Sequence, residues 1–149
     1  EPVMKSAVRK QAEVVRGVAV KLCPVYSPRG EPIPGTSPGE LRGSIHTKVE
    51  QDAEKTVGCV YTNKEYAAYV EFGTGPVGQA NHAGISPAIP VAYRQDGWVW
   101  RDEDGGFHAT QGQQAQPFMY PALKSMEGRV VSGIAADLQA EIKKVGGSS

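Results

Sequence analysis

The most regular apolar spacing lies at the two ends of the chain. Val3, Ala7, Val14, Val18 and Leu22 recur near the helical period, and Val15 and Ala19 widen the stripe. This spacing predicts a helix over residues 3–22 that Pro24 stops. At the other end, Met119, Leu123, Met126, Val130, Ile134, Leu138 and Ile142 step by four or three, predicting a longer helix from about Pro117 to Lys144. Pro117 and Pro121 fall near its start, where a missing N–H costs least. Gly128 and Gly133 lie inside it; each weakens a helix by roughly 1 kcal/mol relative to Ala but admits close approach of another backbone.

Between these helices the period shortens to two. In Ser44–Glu50, Ile45, Thr47 and Val49 share one face and Ser44, His46, Lys48 and Glu50 the other, predicting a half-buried strand. Gln51 to Lys55 reads as a polar turn. Thr56 to Tyr61 is a second strand with Val57, Cys59 and Tyr61 on one side, so the two strands form an antiparallel pair and Cys59 reads as a small core residue. Asn63 is placed to cap a short helix from Lys64 to Glu71 with Tyr66, Tyr69 and Val70 on one face. Ala68, Val70 and Phe72 also alternate, so a third strand over 67–72 competes with that helix. Gly73-Thr74-Gly75-Pro76 ends either element, and 76–96 reads as irregular. Gly97–Arg101 and Phe107–Thr110 form strands around the turn 102–106, a hairpin projecting from the main sheet. Residues 24–40 hold Pro24, Pro28, Pro32, Pro34 and Pro38 with Gly30, Gly35 and Gly39, a long loop. The expected fold is α+β: a small antiparallel sheet packed against the long C-terminal helix and the N-terminal helix, with a projecting hairpin and a long Pro/Gly-rich loop. It forms one domain over 1–145, with 146–149 a flexible tail.

Charge changes this picture locally. Sixteen Lys and Arg balance sixteen Asp and Glu in 149 residues, a net charge of zero that argues against a dedicated nucleic-acid binder. Within the first helix, however, Lys5, Arg9, Lys10, Arg16 and Lys21 face Glu13 alone. That excess reads either as a solvated face or as a basic surface for an acidic partner. Asp102, Glu103 and Asp104 make the hairpin turn acidic. Eight of the eleven aromatic residues lie between 61 and 107, and Trp98 and Trp100 share a strand side; they either cap the core or anchor a protein interface. No apolar run reaches membrane-spanning length, and the N-terminus lacks the pattern of a signal peptide. Cys23 and Cys59 do not make a disulfide framework and read as free thiols in a reducing compartment.

Reactive chemistry finds little support. Gly73-Thr74-Gly75-Pro76-Val77-Gly78 fits G-x-G-x-x-G formally, but 79–87 do not read as the helix whose N-terminus would hold a pyrophosphate, so no cofactor is expected. His46, His82, His108 and the two cysteines are scattered, without metal-ligand spacing. Cys23 at a helix C-terminus faces the negative end of the dipole, which disfavours a thiolate. No catalytic, cofactor or metal residues, and no small-molecule substrate, are assigned.

Four motifs in order carry a resemblance. They are Leu41-Arg42-Gly43-Ser44-Ile45; Gly58-Cys59-Val60-Tyr61-Thr62-Asn63; Glu65-Tyr66-Ala67-Ala68-Tyr69-Val70-Glu71-Phe72-Gly73-Thr74-Gly75; and Gly112-Gln113-Gln114-Ala115-Gln116-Pro117-Phe118-Met119-Tyr120-Pro121-Ala122-Leu123. Over residues 5–143 this resembles the neck proteins of long-tailed bacteriophages and prophages, the head–tail joining or tail-completion family. Members commonly carry Pro-Val-Asp-Thr-Gly before the Leu-Arg motif; here Pro24-Val25 is separated from Leu41 by an enlarged loop. The resemblance implies a non-enzymatic virion protein made in the bacterial host cytoplasm. It also implies a ring of six copies between connector or adaptor and tail-tube proteins. Candidate contacts in such a ring are Lys5, Arg9, Arg16, Arg42, Trp98, Trp100, Asp102, Glu103 and Asp104. A DNA passage lined by the basic helix is the alternative role.

Overall fold

The computed structural model describes residues 2–26, 38–101 and 103–146, without the side chain of Trp100. Its elements in order are helix α1 (Val3–Leu22), one-turn helix α2 (Glu40–Gly43), strands β1 (His46–Gln51) and β2 (Thr56–Tyr61), short helices α3 (Ala67–Phe72) and α4 (Gly75–Ala80), strands β3 (Trp98–Arg101) and β4 (Phe107–Thr110), and helix α5 (Met119–Gly146). The fold is α+β, as the pattern predicts.

Helix α1 is the hub. It contacts α5 and both strands of the β1–β2 pair. Lys10 lies 3.3 Å from Asp137, whereas Ala19 and Cys23 cluster with Phe118 and Ala122, so α1 and α5 run antiparallel. The core joins Val15, Ala19, Cys23, Leu41, Ile45, Val70, Phe118 and Ala122. Phe118, Leu41, Ile45 and Val70 are its largest fully buried side chains, each worth roughly 1.5–3 kcal/mol of burial. The buried face of α1 is made mainly of small residues, Ala7, Ala12, Val15 and Ala19, together with Gln11; Leu22, read as part of the stripe, is exposed. Small side chains let two neighbours approach α1 closely.

Strands β1 and β2 pair antiparallel, Thr47 opposite Val60 and Val49 opposite Gly58. A Cβ at Gly58 would stand 2.8 Å from Val8 on α1, which marks this as the face turned to the helix. Thr47 on that face donates a 2.6 Å hydrogen bond to Glu13 of α1. Cys59, opposite Lys48, therefore lies on the outer face and is only half-buried, against the expectation of a core cysteine. The alternation in β2 misled because its inward position is a glycine.

Three further expectations change. The helix reading holds over 67–72 and excludes the strand, but α3 starts after Tyr66 and Asn63 does not cap it. Residues 75–80, read as irregular, form α4, with Pro76 in the first turn where its missing N–H is harmless. Helix α5 extends through Gly146, one residue into the stretch read as tail, and Leu123 and Ile142 of its expected core stripe are exposed. Residues 27–37 of the Pro/Gly-rich loop lie outside the described residues, as do Asp102 and 147–149. The β3–β4 hairpin forms a separate two-stranded sheet, as its expected projection implies.

Candidate protein interface

On α1, Lys5, Arg9 and Arg16 fall along one side, away from the face that holds Ala7, Gln11 and Val15. Glu13 sits beside them and approaches Arg16 at 3.7 Å, a weak exposed pair. Lys10 turns the other way, to Asp137 on α5. The basic residues of α1 are thus divided between a tie to α5 and a side on which Arg9 is exposed and Lys5 and Arg16 are half-buried.

Arg42 is engaged within the chain. Its Nε and a terminal nitrogen donate to the Cys23 carbonyl at 3.1 and 2.7 Å. Cys23 caps α1, so this fork satisfies one of the carbonyls that a helix end leaves without a partner. Ser44 adds hydrogen bonds to the Leu41 carbonyl and to Thr62, both 2.6 Å, while Leu41 and Ile45 are buried. The Leu-Arg-x-Ser-Ile motif therefore locks the end of α1 to the start of β1.

Two further motif segments meet at Glu71. This buried carboxylate accepts from the backbone N–H groups of Phe118 and Met119 at 2.9 Å and of Tyr120 at 3.2 Å. These are free donors at the N-terminus of α5, where negative charge is also favoured by the helix dipole. Gln116 N–H donates to the Val70 carbonyl at 2.7 Å, and Ala122 is buried one turn further on. Pro117 lies against Gly84, and Pro121 occupies the first turn of α5.

The glycine pattern has a structural use. Thr74 and Gln113 exchange backbone hydrogen bonds of 2.9 and 3.1 Å. A Cβ on Gly75 would overlap the Gln111 carbonyl, one on Gly78 would meet the Gly73 carbonyl carbon at 2.7 Å, and one on Gly73 would meet Ala115 N at the same distance. Gly73 and Gly75 also have positive φ, 75° and 64°, which glycine adopts without strain. The space that a pyrophosphate would need is filled by the chain's own backbone. Among the described residues, no group of three His, Cys, Asp or Glu could hold a metal ion.

Cys23 is fully buried, and burial pushes its thiol up to about 11, with Glu71 adding to the shift and Arg42 opposing it. At neutral pH it is a protonated packing residue.

Around the hairpin, Trp98 lies under the Arg94 guanidinium at 5.2 Å and borders an apolar cleft of about 270 Å³ with Tyr69, Phe72 and Tyr93. Tyr93 stacks on His82 at 5.5 Å and donates a 2.8 Å hydrogen bond to the Phe72 carbonyl; burial raises its phenol. Arg94 went unseen in the sequence because no periodicity runs through 76–96, and Tyr93 stood out only as one of the aromatics clustered between 61 and 107. Glu103 and Asp104 are exposed in the turn. The placements of Trp100's side chain and of Asp102 lie outside the described residues.

Among the described residues, no helix is long and apolar enough to cross a membrane. No curated protein matches the chain, and no solved structure does. Residues 2–73, spanning α1 to the end of α3, match the HK97-gp10_like family model, described as bacteriophage HK97-gp10, putative tail-component.

Proposed function

We propose that the chain is a non-enzymatic subunit of the phage neck. It joins the head connector to the tail as one copy in a closed ring, and works in the virion after synthesis in the host cytoplasm. The observation that carries this reading is the family match over residues 2–73, whose last motif contains the Glu71 that organises α5. A rigid α1-centred body with a hairpin standing off it suits head-to-tail contacts, which generate rings when the rotation closes. In that ring the basic side of α1 meets the acidic turn of a neighbouring copy.

Deleting the gene should leave filled heads and complete tails unjoined, and the protein should be recovered from purified particles by mass spectrometry. Joined particles without the protein would refute the role. Replacing Lys5, Arg9 and Arg16 together by Glu should shrink the assembled species in sedimentation; unchanged oligomer size would remove these residues from the contact. The same basic face also supports a second reading, contact with DNA passing through the neck. That reading requires filter binding that falls steeply with salt, because each neutralised phosphate releases counterions.

A further inference from the structure

Among the described residues, two apolar surfaces stand exposed. In the β3–β4 hairpin, Val99 stands opposite Ala109 and Arg101 opposite Phe107, so these four side chains share one face. Val99 is 71% and Phe107 74% exposed. A two-stranded hairpin in water is marginal on its own, and among the described residues this face is left largely to solvent. The second surface runs along α5. With 3.6 residues per turn, Val131, Ile134, Leu138 and Ile142 fall within roughly 100° of arc, beside the face that packs on α1, with Ile134 and Leu138 half-buried. Val131 is 69% and Ile142 71% exposed.

The charges on the two surfaces match. The hairpin face carries one charge, Arg101, whose guanidinium lies 5.7 Å over the Phe107 ring. The α5 strip carries Glu141 at its edge, while Glu127, one turn before Val131, is paired with Lys124 at 3.0 Å. One surface is an apolar patch with a cation. The other is an apolar stripe with one anion, Glu141, at its edge. They lie on different elements of the same chain.

We propose that the occupant of the α5 stripe is a second copy of this chain, docked through the Val99–Phe107–Ala109 face of its β3–β4 hairpin, with Arg101 directed to Glu141. The contact is heterologous: each copy offers a hairpin and receives one. This rests on the ring-subunit reading for its biological use, but the docking itself is a property of the purified protein. It differs from the pairing of the acidic turn with α1, since neither surface includes those residues.

The test is disulfide trapping between two differently tagged forms, both in a Cys59→Ser background. One form carries Phe107→Cys and the other Leu138→Cys. Mixed and oxidised, they should give a tag-to-tag dimer, and adding Arg101→Glu to the first should abolish it. Each form alone should give no dimer. A dimer of the Leu138→Cys form alone would mean that α5 pairs with α5, and would overturn the proposal. Absence of the mixed dimer at the highest soluble concentration, with both forms giving the circular dichroism of the parent, would overturn it as well. Either failure leaves the neck role standing, because that role is decided by the gene deletion and the particle composition.

Discussion

At the scale of single residues, burial decides chemistry. Cys23 has a thiol pushed up to about 11 from 9.0, chiefly because the core around it disfavours a charge. Below pH 9 both folded and unfolded chains keep the proton, so its contribution to stability is complete. Between pH 9 and 11 the unfolded chain loses the proton first, and stability falls by roughly 1–3 kcal/mol. Urea unfolding at pH 8 and pH 10.5 should therefore show a smaller loss in Cys23→Ala than in the parent; equal losses would remove Cys23 from the pH dependence. In the folded protein a maleimide should modify Cys59, on the outer face of β2, and leave Cys23 untouched until urea is added. Gln11 and Gly133 make a second case. Gln11 is buried with its Oε1 unpaired, and a Cβ on Gly133 would overlap its amide. Gly133→Ala should destabilise the parent, yet stabilise a Gln11→Ala background by up to about 1 kcal/mol, the helix preference of alanine. Additive effects in the double-mutant cycle would show that the two residues do not share the space.

At the scale of elements, α5 is the long helix most visible in the sequence, yet what starts it comes from 48 positions earlier. Periodicity located α1, α5, both hairpins and α3, because one-sided burial imposes a period on each. It did not locate α4, whose Gly-Pro-Val-Gly sequence has no period and is held by backbone packing on Gln111 and Gln113. Nor did it identify which face of β2 turns inward, because the contact with α1 is made by the absence of a side chain at Gly58. The interface residues divide in the same way. Arg42 looked outward in the sequence and is tied to the end of α1, since the need of an unpartnered helix carbonyl leaves no periodic trace. Glu71 shows how a motif can be structural without being apolar. Glu71→Gln keeps the size but loses the charge and turns a donor toward one of three backbone N–H groups. It should cost about 2–3 kcal/mol in urea unfolding, by leaving a buried donor unsatisfied and removing a charge-assisted bond. A loss below about 0.5 kcal/mol would mean that water replaces the carboxylate, since such caps normally contribute more.

At the scale of the whole molecule, stability is distributed unevenly. α1 is covered on two sides, by α5 and by β1–β2, and contributes Val15, Ala19 and Cys23 to the core. Its hydrogen bonds should open only when the molecule unfolds. The β3–β4 hairpin contributes nothing to that core and presents Val99 and Phe107 to solvent. Its ladder should open locally, at a free energy well below the global value. Amide hydrogen exchange on the dispersed protein should therefore give the slowest rates around Ala12–Ala19 and rates faster by orders of magnitude over Trp98–Thr110. The hairpin amides should slow on assembly, because docking against a second copy supplies the covering face that the isolated hairpin lacks. Equal protection of α1 and the hairpin in the monomer would mean that the hairpin is held by the body of its own chain. A subunit built this way keeps its fold when alone and its mating element loose, so that ordering of the hairpin is coupled to finding a neighbour.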